Sequence, residues 1–266
     1  MALMLLLTLK LLFLHDRRIK TKAARQARWL MVVGMALLAL HFFLQLKTGL
    51  RLRGVTQSVI LNLAMLMPVS YIIARAVLML QRRGKLSLAD RWIGPLTWIA
   101  AMATLAVAAN IDGQPLISDS SQLRTAEKID AVLYMLMQGY YTWRHTRSLI
   151  TMRHALNSYY DRDTDGMLRW MQLSIVGLML LALMVPVAIF GSGPVLLIIA
   201  FIIYFSIFYL VDSFCFYLVS PAPERMQAAE RNSEEMELEA NSEAPHLFAR
   251  GGVFLQHPRH SSRLRL

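Results

Sequence analysis

Asp161, Asp163 and Asp165 stand at alternate positions and are followed by Gly166, the order found in the first half of an EF-hand calcium loop. Alternate carboxylates present oxygens to a hard cation, and the glycine allows the sharp turn. The loop also needs a bidentate Glu at its twelfth position. Counted from Asp161, that position is Gln172, which is neutral, and the apolar Met167 follows the glycine one place early. Trp170 opens a long apolar run, which leaves no room for a separate exiting helix. The stretch therefore reads as a juxtamembrane elbow that turns near Gly166 and enters the bilayer at Trp170. Its aspartates precede a helix N-terminus, where the dipole favours negative charge and Asp caps free N–H groups.

Other chemistry-bearing residues lie inside apolar runs. Arg75 and Asp212 fall at comparable depth, and an intramembrane charge is costly unless paired or wet. They are expected to pair, the alternative being that Arg75 snorkels while Asp212 faces a wet pocket. His41, Gln45, Asn62, Asp130 and Gln138 lie nearer the opposite face. They either line a cavity open on that side or each hydrogen-bond a neighbouring helix. Pro68 and Pro186 are placed to kink helices and free carbonyls for polar neighbours.

Enzyme signatures are missing: no phosphate-binding loop, no H-E-x-x-H, no nucleophile elbow and no dinucleotide fingerprint. No catalytic residue, cofactor or metal site is expected. His257 and His260 do not close a ligand pair. The single cysteine, Cys215, permits neither an intrachain disulfide nor a thiolate cluster.

The elements that must position these residues follow from hydropathy. Of the 266 residues, 56% are hydrophobic, above the share usual in a soluble domain. Stretches such as "VLLIIAFIIYFSIFYLV" are too long and uniformly apolar for one face of a soluble helix. Seven spans are expected: Met1–Leu14, Trp29–Leu46, Ser58–Leu80, Trp92–Ala109, Ile129–Trp143, Trp170–Phe190 and Val195–Val219. The first is short for a ~30 Å hydrocarbon core. The fifth is short and polar, and is expected to begin earlier and run on as helix past Trp143. Trp29, Trp92, Trp143 and Trp170 sit at span edges, as interfacial anchors do.

Charge sets the direction. The first, third and fifth connections and the tail carry 21 Lys and Arg, against five in the other connections. The positive-inside rule then puts the N-terminus outside and the C-terminus in the cytoplasm. The net charge of +11 thus needs no nucleic acid to explain it. The fold expected is an all-α polytopic bundle, residues 1–220. An acidic helix-prone segment, 221–243, and a disordered or aberrant tail, 244–266, follow.

Several segments, "GVTQSVILNLAMLMPVSY", "DGQPLISDSSQLRTAEKIDAVLYMLMQGYYTW", "ALNSYYDRDTDGMLRWMQLSIVGLMLLALMVPVAIFGSGP" and "IFYLVDSFCFYLVS", resemble the membrane part of bacterial membrane-anchored AraC-type helix-turn-helix regulators. The likeness spans roughly residues 29 to 220. It implies a multi-pass sensor or anchor in a bacterial inner membrane, linked to transcription control. The partners it implies are the bilayer, an unidentified small ligand and a second copy of the chain. After Glu243 too few residues remain in this sequence for a helix-turn-helix domain. Nucleic-acid binding by this chain itself is therefore not expected. A small-solute transporter is the rival expectation, with a continuous polar path joining the two faces.

Overall fold

A computed structural model describes residues 2–14, 19, 21–49, 55–113, 120–157, 172, 175–177, 179–180 and 195–219. Regular structure among them is entirely helical. Six helices have defined bounds: α1 Ala2–Leu12, α2 Lys22–Thr48, α3 Val55–Gln81, α4 Leu88–Asp112, α5 Ser121–Asn157 and α6 Val195–Val219. Three stretches, Lys22–Thr48, Ser58–Gln81 and Leu88–Ile111, are long and apolar enough to cross a membrane. The helices cover the expected first, second, third, fourth, fifth and seventh spans. The sixth lies almost wholly outside the described residues, as do the elbow residues Asp161, Asp163, Asp165, Gly166 and Trp170, Pro186 and everything past Val219.

Local chemistry fixes the helix ends. Thr21 Oγ1 accepts from the Ala24 N–H at 3.2 Å and caps α2, and Gly49 closes it with φ 56°. Gly113 closes α4 in the same left-handed way at φ 60°, a conformation that costs glycine little. Ser120 Oγ accepts from the Leu123 N–H at 3.1 Å at the start of α5. At 37 residues α5 is the longest helix described, running past Trp143 as its sequence suggested.

α3 is the shared central helix. One face, with Val69, Ile73, Ala76 and Val77, packs with α1, α2 and α6. The other, with Val59, Leu63, Met67, Tyr71 and Ala74, packs on Ala101 of α4 and on Tyr134, Met137 and Tyr141 of α5. The bundle is inverted in polarity relative to a soluble one. Leu40, Phe43, Leu96, Ile99, Val107, Val132, Leu136 and Phe201 are exposed, whereas Arg28, His41, Asn62, Glu127 and Asp130 are buried. Apolar residues outward and polar residues inward suit a lipid environment. Lipid tails are as apolar as leucine, so close packing and interhelical hydrogen bonds must hold such helices together.

Two prolines show how that is done. Pro68 inside α3 has no N–H to give the Ala64 carbonyl. The indole of Trp98, on α4, donates to that carbonyl at 3.0 Å. Pro95 inside α4 likewise leaves the Arg91 carbonyl without its helical donor. Tyr71, on α3, donates its hydroxyl to it at 2.8 Å. Each helix thus supplies the donor that the other helix's proline removed. Gly94 makes the second contact possible, since a Cβ there would lie 2.1 Å from the Tyr71 ring.

Candidate functional site

The densest polar constellation described joins α3, α4 and α5 at one end of the bundle. Its centre is Asp90, which is fully buried. Asp90 is placed by a capping box: its own N–H donates to Ser87 Oγ at 3.3 Å, and the Ser87 N–H donates to Asp90 Oδ2 at 3.0 Å. This box closes the start of α4. It also holds the carboxylate toward α5. Arg144 grips it with two prongs, Nε to Oδ1 and Nη2 to Oδ2, both at 2.7 Å. Tyr140 donates its hydroxyl to Oδ1 at 2.9 Å, and Arg82 Nη1 stands 3.6 Å from Oδ2. A two-pronged guanidinium contact fixes direction as well as distance.

Around this centre the first turn of α4 is tied down. Tyr141 donates to the Asp90 carbonyl at 3.1 Å and accepts from the Gly94 N–H at 3.2 Å. His145, one residue past Arg144, is buried with Nδ1 2.9 Å from Gln81 Oε1. Desolvation pushes this imidazole down to about 4, which keeps it neutral near pH 7. The Asp90 carboxylate is thus fully engaged by its neighbours, whereas the buried Nε2 of His145 has no hydrogen-bond partner among the described residues.

The expected Arg75–Asp212 pair is not formed. Arg75 Nη1 donates to Tyr71 at 2.9 Å, and its guanidinium lies 5.9 Å from the Tyr71 ring. Asp212 pairs instead with Lys10 of α1. The reason is the face each occupies. Arg75 is one turn from Tyr71, on the side of α3 turned to α4 and α5, whereas α6 packs with the opposite side. Lys10 is the cation within reach.

The five residues of the expected outer cavity are divided by their hydrogen bonds. Gln45 Nε2 donates to Asn62 Oδ1, linking α2 to α3. Asp130 accepts from Thr104, linking α5 to α4. Gln138 donates to Tyr134 on its own helix at 2.9 Å. His41 is buried against Phe42, with no hydrogen bond to Nδ1. Gln45, Asn62 and Asp130 thus bond across helices, Gln138 bonds within its own helix, and these bonds do not draw the five together. Among the described residues no group of three His, Cys, Asp or Glu stands where it could hold a metal ion.

Sequence reasoning passed over Ser87, Asp90, Tyr140, Arg144 and His145. One signal was present: "SLAD" before the apolar run is a capping box in sequence form. Nothing local marked Arg144 as the partner of an aspartate 54 residues earlier. The chain matches no family model, no curated protein and no solved structure in the comparisons made with it.

Proposed function

We propose that the chain is a non-catalytic, multi-pass membrane module that senses a stimulus or anchors a partner, coupled to transcription control. In this reading its seven spans cross a bacterial inner membrane, with the N-terminus outside and the Asp90 end facing the cytoplasm. The observation that carries it is the Asp90–Arg144 contact, where a buried carboxylate gripped by Arg144 and bonded by Tyr140 and Ser87 ties helices together at their basic end. Such a clamp has two states, closed or broken, and a stimulus that moves α4 against α5 would choose between them. The link to transcription rests on the likeness of the membrane segments to AraC-type regulators. The separate pairing of Gln45 with Asn62 and of Asp130 with Thr104 favours this reading over a transporter.

The test fuses a monomeric DNA-binding domain behind the cytoplasmic tail and reads a reporter gene, with and without Asp90→Asn. A change of reporter output on breaking the clamp, with no solute flux through proteoliposomes, is the expected result. Flux that disappears in Asp90→Asn, with a silent reporter, would replace the reading with the transporter.

A further inference from the structure

We propose that the basic end of the bundle is a binding surface for anionic phospholipid headgroups. The inference rests on the chain being a membrane protein, and three observations carry it.

The first is convergence. α3 ends in a tight turn in which Arg83 and Gly84 both have positive φ, 51° and 83°. The Gly84 N–H donates back to the Met79 carbonyl at 2.9 Å. That turn sits on the start of α2, since a Cβ on Gly84 would lie 3.2 Å from the Ala23 Cβ. Lys85 is thereby brought to the end of the bundle that carries Lys22 and Arg25. Arg91 is held at the same end by the Asp90 contacts to Arg144 and Arg82.

The second is lack of neutralisation. The acids described in this half of the helices are both taken, Asp90 by Arg144 and Asp212 by Lys10. Lys22, Arg25, Lys85 and Arg91 are exposed, and their side chains make no ion pair or hydrogen bond among the described residues. Unpaired cations at one level create a field that draws anions and holds phosphate oxygens well.

The third observation selects the partner. Trp29, Trp92 and Trp143 are each more than half exposed at this same end. Exposed indoles lie at the headgroup level of a bilayer. Arg28 and Arg147 stand 5.4 and 5.7 Å from the rings of Trp29 and Trp143. Tryptophans interleaved with the cations place the charge in the plane of lipid phosphates rather than out in water, where a nucleic acid would approach.

The experiment uses the full chain in phosphatidylcholine nanodiscs doped with brominated phosphatidylglycerol or brominated phosphatidylcholine, and reads quenching of tryptophan fluorescence. Brominated phosphatidylglycerol is expected to quench at far lower mole fraction than its phosphatidylcholine counterpart. The triple variant Lys22→Gln, Arg25→Gln, Lys85→Gln should lose this preference by roughly a hundredfold, at about fivefold per cation. The triple variant Lys47→Gln, Arg124→Gln, Lys128→Gln, at the opposite end, should keep it. Circular dichroism checks that both variants retain their helices. The proposal is overturned if the first variant keeps the preference, if both lose it equally, or if millimolar inorganic phosphate abolishes it in the wild type. Absence of quenching by either brominated lipid would instead overturn the membrane reading itself.

Discussion

The Trp98 indole and Pro68 offer a clean test of how the bundle is held. Trp98 Nε1 donates at 3.0 Å to the Ala64 carbonyl, which Pro68 leaves without a backbone donor. Trp98→Phe keeps an aromatic ring but leaves that carbonyl unpaired. An unsatisfied buried acceptor costs about 1–3 kcal/mol. Interhelical bonds in membranes fall lower, near ~0.6 and up to ~1.7 kcal/mol. Trp98 is 37% exposed, which argues for the lower part of that span. A loss of about 1 kcal/mol is expected. In a Pro68→Ala background the restored residue-68 N–H can satisfy Ala64 itself. Trp98→Phe should then cost only a few tenths of a kcal/mol, the packing difference between indole and phenyl.

The assay is SDS-driven unfolding in mixed micelles followed by far-ultraviolet circular dichroism, on the wild type, both single variants and the double. The quantity of interest is the coupling, about 1 kcal/mol. If Trp98→Phe costs the same in both backgrounds, within the ~0.3–0.5 kcal/mol typical of independent sites, the carbonyl is not what the indole serves. The Tyr71 hydroxyl would then have no such role toward the Arg91 carbonyl either.

The remaining expectations use the same unfolding assay. Asp90→Ala leaves the partly buried Arg144 guanidinium without its carboxylate, and should cost about 3 kcal/mol, the lower end of the range for a broken buried pair; adding Arg144→Met should recover part of that loss, and a purely additive double would contradict the clamp. Gly94→Ala drives a Cβ to within 2.1 Å of the Tyr71 ring, whereas at Gly34 the nearest atom is Ile73 Cγ1 at 2.9 Å, a much smaller overlap. Overpacking of about 1–3 kcal/mol or more is expected for the first and clearly less for the second. His145 has a folded pKa near 4, below the ordinary value near 6.5. The unfolded chain therefore binds more protons between those values, so stability is full above about 6.5 and falls as pH drops toward 4. His145 should contribute about 2 kcal/mol to the loss from pH 7 to 5, so His145→Gln should lose less than the wild type by about that amount; an unchanged pH slope in that variant would contradict the assignment. Finally, Lys10→Asp with Asp212→Lys should fold better than either single change, while Arg75→Asp with Asp212→Arg should show no rescue.

Helix positions were legible because apolar runs and Trp-marked edges report a local property. The fifth helix, foreseen to overrun Trp143, does so as far as Asn157. The role of Pro68 in freeing a carbonyl was legible too, since a missing N–H is a covalent fact. What supplied the replacement donor was not, because Trp98 lies 30 residues further along a different helix. The same limit explains Arg75. Depth along a helix can be read by counting, and it put Arg75 level with Asp212. The direction a residue faces depends on which neighbours pack where. Asp90 was missed for a different reason: it sits at the edge of an apolar run, among loop charges that look solvated, and only the approach of α5 buries it.

The length of α5 has a mechanical consequence. At 1.5 Å per residue its 37 residues make a rod about 55 Å long, well beyond a ~30 Å hydrocarbon core. Arg144 grips Asp90 about two-thirds of the way along it. The 13 residues beyond form a lever arm of about 20 Å. A tilt of about 10° about that fulcrum would sweep the Asn157 end through about 3 Å, given that arm. The 23 residues on the other side of the pivot span roughly 35 Å, so a displacement there would reach the Asn157 end at a little over half its size and in the opposite sense. Such transmission needs a stiff rod and a firm pivot, and the two-pronged Arg144 contact to Asp90 supplies the pivot.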